Sequence, residues 1–331
     1  MTVSDRALRS FYLDTAGKSR SGLGLDEINQ LIATKTGHLW VDIDTTVPED
    51  AEALKHIQGL HPLAVEDALS EQNRPKLEEY AHCVFVVIIG VRFHEDTPDP
   101  YDLKTYSLSC FLGSNVLGTA HAGPSDSVDD VAKRIERNPD LLAHGIDRLA
   151  HAIMDGSIDD YFPLLDRIDE FVDSLEQRVI IEFHQDALKD IFAVKRLVLA
   201  LRRHVAPERE VFNILTNRPI ALLSPESQIY FRDIYDHVLR INDSIDTYRE
   251  LLGNVLDSYL TQISNRLGRV TKGLSVVATV SIPFVVISGM WGMNVEHIPL
   301  AAHPHAFLWM LGIQLALGIA LVFLLKILKL L

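Results

Sequence analysis

The sequence predicts an α+β cytoplasmic domain of αβα type, a mixed sheet flanked by helices, followed by a very long stalk helix that continues into a two-helix C-terminal transmembrane hairpin. Three observations carry this prediction. Two apolar runs, residues 273–290 and 306–325, lie where neither Lys nor Arg occurs between Lys272 and Lys326, and Glu296 is the only carboxylate among them. Each has the roughly 17–25 apolar residues that a membrane-crossing helix needs. Strand-like patterns crowd the first third of the chain, and helical periodicity takes over after Pro124. Finally, the helix that opens near Ser224 meets no stop signal before Gly289.

Residues 10–123 read as β-rich. Leu39-Trp40-Val41-Asp42-Ile43-Asp44 alternates apolar and polar residues, Cys83 through Ile89 is a buried-strand run, and 106–112 with 116–120 reads as a hairpin across Gly113-Ser114-Asn115. A short helix over 62–70 interrupts them. Helices over 127–137, stopped by Asn138-Pro139, and over 143–154 are expected on the flank of the sheet. Strands first and helices later is an α+β order.

The run 159–183 places Leu164, Leu165, Ile168, Val172 and Leu175 on one face and should pair with a second run, 186–204. Ser224-Pro225 has the chemistry of a helix start, a Ser cap and Pro in the first turn. From there to Gly289 the helix would be about 100 Å long at 1.5 Å per residue. Pro283 is expected to kink it inside the bilayer. The chain thus divides into a cytoplasmic domain (1–223), the cytoplasmic part of the stalk (224–272), a first span (273–290), an outer loop (291–305), a second span (306–325) and a tail (326–331).

Charge sets the expected orientation. Arg266, Arg269 and Lys272 precede the first span, Lys326 and Lys329 follow the second, and the loop between has no basic residue. The positive-inside rule then puts both termini in the cytoplasm of a protein of the inner or plasma membrane. The opening Met1-Thr2-Val3-Ser4-Asp5-Arg6 lacks the pattern of a cleaved signal peptide, so none is expected. The net charge of −14 argues against nucleic acid and favours cations as partners. Cys83 and Cys110 sit in apolar strand-like runs without metal or redox spacing, and both are expected as buried reduced thiols.

Two spans cannot enclose a polar path, because every lipid-facing surface must be apolar. A pore therefore requires several copies around an axis, and a homo-oligomer embedded in lipid is expected. Gly292-Met293-Asn294 at the end of the first span resembles the signature of the CorA-type divalent-cation channels, the two-span Gly-x-Asn family. Two further stretches are similar: His61-Pro62-Leu63-Ala64-Val65-Glu66-Asp67 through Asn73-Arg74-Pro75-Lys76, and Tyr230-Phe231-Arg232-Asp233-Ile234-Tyr235-Asp236-His237.

The resemblance implies a homopentamer with a funnel-shaped cytoplasmic domain, carrying Mg²⁺ and Co²⁺ inward as substrates, with divalent cations also as regulators and no other cofactor. It places Gly292, Met293 and Asn294 at the outer entrance, with Glu296 attracting cations. It lines the pore with Asp257, Gly268, Thr271, Leu274, Ile282 and Val285. Asn294 and Gly292 oxygens suit a hydrated Mg²⁺, which surrenders water reluctantly, and Leu274 and Ile282 would close the pore by dewetting. A regulatory metal site is implied between Asp233 and, on a neighbouring copy, the position of His82, where the family's acidic pair falls on Ala81-His82. Trp291 replaces the usual Tyr before the motif, and Leu300 replaces an acidic residue.

Two other readings remain open from the sequence. His82, with His297, His303 and His305 in the outer loop, favours transport of Zn²⁺, Ni²⁺ or Co²⁺, proton-linked, as in the ZntB-like zinc branch of the same fold. A hairpin-anchored cytoplasmic enzyme or binding module is the other, yet the chain offers no nucleophile elbow and no His-Glu-x-x-His. Gly17-Lys18-Ser19 fails as a phosphate loop because Tyr12 stands where the first Gly is needed. No enzymatic chemistry is expected.

Overall fold

The computed structural model describes residues 8–70, 73–93, 101, 103–181, 184, 186–293 and 303–328. Seven strands form one mixed sheet: β1 (Arg9–Leu13), β2 (Ser19–Ser21), β3 (His38–Asp44), β4 (Lys76–Glu79), β5 (Val84–Phe93), β6 (Leu103–Leu112) and β7 (Val116–His121), in the order β2-β1-β3-β7-β6-β5-β4. Among the described residues only β3 and β7 run parallel; every other pairing is antiparallel. The predicted hairpin is β6–β7, closed by a Gly113 N–H donating to Val116 O at 2.8 Å.

Alternation assigns the two faces. Leu39, Val41 and Ile43, with Phe85, Val87 and Phe111, join a core under α1 (Leu25–Thr34), α2 (Pro48–Leu54) and α3 (Pro62–Ala68). Trp40, Val86, Ile88, Leu108 and Cys110 are buried on the other side, where α4 (Asp126–Arg137) and α6 (Ile146–Asp159) lie, with the single turn α5 (Asp140–Ala143) between them. Helices on both faces bear out the αβα expectation. α1 and α2 had no counterpart in the sequence reading, and α6 starts and ends later than the expected 143–154. Both thiols are buried and unpaired, as expected, and burial raises their pKa values.

Beyond Val87, β5 has lost its β4 neighbour. Its free edge is satisfied by side chains instead: Ile89 N–H donates to Glu208 Oε1 at 2.7 Å, and Tyr161 O–H donates to Ile89 O at 2.7 Å. An uncovered edge would expose unpaired backbone groups.

Tyr161 opens α7 (Tyr161–Ile180), and Glu208 belongs to α8 (Ala187–Asn217). The predicted apolar face of α7 is buried, and Arg178 pairs with Asp190 at 2.6 Å. α8 runs well past His204 and through Pro207, because Val211, Phe212 and Leu215 continue its buried stripe.

The long helix is α9 (Ser227–Trp291), 65 residues, and the apolar second helix is α10 (Ala306–Ile327). α9 starts three residues later than the sequence suggested. Ser224 caps the preceding turn, accepting from Ser227 N–H at 3.3 Å and donating to Asp147 Oδ2 at 2.6 Å. The chain separates into two units within α9: residues 1–178 with 184–255, and 179–183 with 256–331. In the first, Phe231, Ile234, Val238, Ile241, Ile245, Tyr248, Leu252 and Val255 recur in alternating steps of three and four, and all are buried. That is the seam of a helix packed like a coiled coil.

Candidate ion path and candidate metal-ligand cluster

In the second unit, α9 and α10 meet along one face of each. Gly318 packs against the Phe284 ring so closely that a Cβ there would stand 2.7 Å from Cζ. Val276, Val280, Pro283, Phe284, Ile287 and Trp291 are the partly covered residues of the apolar part of α9. At about 100° per residue they fall on one side of the helix. Asp257, Gly268, Thr271, Leu274, Ile282 and Val285 fall within a stripe about 120° wide on the opposite side. All six are exposed in the single chain; Leu274 and Val285 are each 71% exposed. α10 therefore leaves open the side of α9 that the sequence reading assigned to the pore.

At the end of α9, Gly292 N–H is shared between Ser288 O at 3.1 Å and Gly289 O at 3.2 Å, and Met293 N–H reaches Met290 O at 3.4 Å. The helix thus closes on Gly292, two residues beyond the expected 273–290 span. Met293 is exposed. Asn294, Glu296 and His297 lie outside the described residues. His303 Nδ1 accepts from His305 N–H at 3.1 Å just before α10, a local turn rather than a ligand set.

In the first unit, the motif stretches prove to be largely architectural. His61 caps α3, its Nδ1 accepting from Leu63 N–H at 3.3 Å while its ring stacks on Tyr80 at 4.2 Å. Asn73 donates to Asp67 O and Ser70 O at the other end of α3. Lys76 Nζ bridges Asp67 at 2.6 Å and Glu78 at 2.9 Å. These contacts tie α3 to β4 around an open acidic cleft lined by Leu63, Glu66, Asp67, Glu78, Glu79 and Tyr80.

The second motif stretch carries a ligand cluster that the sequence reading missed. Asp155 and Asp159 of α6 and His237 of α9 bring their ligand atoms within 4.8 Å of one another, and His237 Nδ1 lies 3.0 Å from Asp159 Oδ1. Asp233, one turn before His237, adds its field to Asp155 and to His151. Burial pushes the Asp155 carboxyl up and His151 down, so both resist charging. Asp160 beside them is pushed up to about 6, first by burial and then by neighbouring carboxylates. One imidazole and two carboxylates suit Zn²⁺ or Co²⁺ better than Mg²⁺. The i, i+4 spacings 155/159 and 233/237 were the available signal; only packing shows that the two pairs face each other.

His82 lies apart from this cluster. It is exposed in the β4–β5 turn, beside a cleft shared with Lys35, Gln58, Gly113 and Asn115. Within one chain His82 and Asp233 have separate surroundings, and the implied pairing is between copies.

An αβα domain joined by one long helix to a two-helix apolar hairpin defines a class, the two-span membrane transporters of cations. The family model for the CorA-like Mg²⁺ transporter protein matches residues 35–326, and this chain belongs to that family. The cobalt/magnesium transport protein CorA of Thermotoga maritima is 33% identical over 242 residues, 73% of this chain and 68% of that protein. The zinc transport protein ZntB of Yersinia pseudotuberculosis is 23% identical over 303 residues, 90% of this chain and 88% of that protein. The complete structure of the CorA magnesium transporter from Methanocaldococcus jannaschii superposes with a TM-score of 0.82 at 20% identity, over 96% of this chain and 98% of that one. The chain is thus a CorA-family divalent-cation transporter with two candidate membrane spans.

Proposed function

We propose that this chain assembles as a homopentamer that conducts hydrated Mg²⁺, and Co²⁺, into the cytoplasm, with both termini inside. The observation that carries the reading is the open stripe on α9 opposite its α10 contact. Exposed Leu274, Ile282 and Val285 need apolar partners, and copies arranged around an axis would turn this stripe inward. Gly292, Met293 and Asn294 then ring the outer mouth, Glu296 supplies negative charge there, and Asp257 supplies a carboxylate ring at the cytoplasmic end. Neutral oxygens at the mouth bind a hydrated ion weakly enough to let it pass.

We place a regulatory divalent cation near Asp233, with Asp155, Asp159 and His237 as donors that could share it. His82 of another copy is the remaining part of the original pairing. A Zn²⁺-carrying reading draws on this same imidazole-carboxylate set and on the likeness to the zinc transport protein.

The deciding experiment is uptake into proteoliposomes, comparing Mg²⁺, Co²⁺, Ni²⁺ and Zn²⁺ for the wild type and Asn294→Ala. Voltage-driven Mg²⁺ entry lost in the variant supports the channel. Zn²⁺ entry without Mg²⁺, following a pH gradient, replaces it with the zinc reading. Calorimetric titration of Zn²⁺ and Co²⁺ into wild type and His237→Ala tests the cluster, and equal affinity removes it.

A further inference from the structure

Gln314 is an unusual residue at its place. Apart from the Trp309 indole and the weakly accepting Met310 sulfur, it is the only side chain with hydrogen-bonding atoms in residues 306–325. It is 8% exposed in a helix whose other side chains mostly face outward. A carboxamide at membrane depth is unfavourable unless it is bonded, and this one is bonded twice. Its Nε2 donates to Ser288 Oγ at 2.8 Å and to Phe284 O at 3.3 Å. Gly318, one turn further along α10, admits the Phe284 ring, so two turns of each helix are matched in register.

Ser288 is also the residue whose carbonyl receives Gly292 N–H. The last carbonyls of a helix have no intrahelical partner of their own, so this terminal turn is intrinsically prone to fray. One side chain on the second span is therefore bonded to the residue on which the entrance turn closes.

We propose that Gln314 is a positioning residue for the turn at Gly292 and Met293, holding the last turn of α9 through Ser288 and thereby setting how the mouth meets a hydrated divalent cation. The role in transport rests on the ion-path reading above; the ordering of the turn does not. Ser288 is the relay, and its hydroxyl is the group that matters. Ser288→Thr should keep the function, whereas Ser288→Ala and the similarly sized apolar Gln314→Leu should lose it.

The test uses the full-length protein in lipid nanodiscs and proteoliposomes. Hydrogen exchange over residues 286–293 reads the turn directly. Exchange at Gly292 and Met293 should speed up roughly three- to tenfold in Gln314→Leu and Ser288→Ala, the range expected for losing one interhelical hydrogen bond, and stay near wild type in Ser288→Thr. Uptake should show a several-fold rise in half-saturation for Mg²⁺ and a changed Mg²⁺-to-Co²⁺ ratio, with the amount of assembled protein unchanged.

Unchanged exchange in Gln314→Leu overturns the proposal whatever the flux. Faster exchange with an equal fall in flux for every cation, tracking loss of assembled protein, reduces Gln314 to a folding contact and also overturns it. If the wild type carries no divalent cation at all, the transport reading falls, and the exchange result still decides whether Gln314 orders the turn.

Discussion

Phe231 and Leu274 belong to the same helix, yet the first is fully buried and the second is 71% exposed. The difference lies in pattern. From Phe231 onward a heptad seam, with Arg232, Asp236 and Arg240 between its members, is buried within one chain, although Ile229 and Tyr230 just before it stay exposed. From Leu274 to Trp291 the helix carries no charged residue on any side, and a single α10 covers only one face. The sheet-bearing unit closes its own core. The hairpin unit leaves most of its apolar surface uncovered within one chain.

The sharpest way to break this contrast is to cut it. A chain ending at Val255 is expected to stay soluble without detergent and to melt cooperatively by circular dichroism, whereas residues 256–331 alone should aggregate outside detergent. Aggregation of the first fragment would show that the hairpin is part of the same core. Side-chain truncation sharpens the comparison next. Phe231→Ala should cost about 3–5 kcal/mol in denaturant unfolding, while Leu274→Ala should leave that unfolding within about 0.5 kcal/mol and raise resting Mg²⁺ flux. Equal losses of stability would place Leu274 in a packed core.

The sheet-bearing unit also has a charge problem of its own making. Glu208 is fully buried, with only Ile89 N–H to bond one oxygen, and burial pushes its carboxyl up to about 8. Its ordinary value is about 4.3. The folded state therefore binds the proton more tightly than the unfolded chain, and this group's contribution to stability is complete below about pH 4 and is lost as pH rises toward 8. Glu208→Gln keeps an acceptor for Ile89 without the ionisation. The variant should lose that part of the decline and be more stable than wild type at pH 8–9 in denaturant titrations. An unaltered pH profile would mean that Glu208 titrates normally.

How much of this was legible in the sequence depended on how local each signal was. The hairpin stood out because excluding charge from two long runs needs no knowledge of what they pack against. β5 and β6 were legible for a similar reason, as apolar or alternating stretches. α1 and α2 were not, because helices of ten and seven residues hold too few turns for periodicity to emerge. The pore stripe was carried by resemblance, and the structure adds the physical point that α10 packs on the other side. Asp159 and His237 could not be joined beforehand, since α6 and α9 are brought together only by the buried residues between them. Gln314 drew no attention in a run otherwise read for length alone, although a lone carboxamide in an apolar helix is itself a signal.

Two glycines give the finest test, because each would place a new methyl against an aromatic ring. A Cβ on Gly90 in β5 would fall 2.2 Å from Tyr106 Cζ, and one on Gly318 in α10 would fall 2.7 Å from Phe284 Cζ. Tyr106 cannot yield: it lies directly across the ladder from Gly90, is buried, and its hydroxyl accepts from Ser125 Oγ at 3.2 Å. Gly90→Ala should therefore cost about 2–3 kcal/mol, the usual penalty for overpacking a rigid core. Phe284 borders an open apolar groove with Val280, Leu315, Ile319 and Phe323, so its ring can swing aside. Gly318→Ala should thus cost less than about 1 kcal/mol and change Mg²⁺ uptake less than about twofold, provided the Gln314 bond to Ser288 survives the small shift. A loss as large as that of Gly90→Ala would mean that the α9–α10 contact is packed as tightly as the sheet, and the hairpin would then be a second rigid core rather than a surface completed by its surroundings.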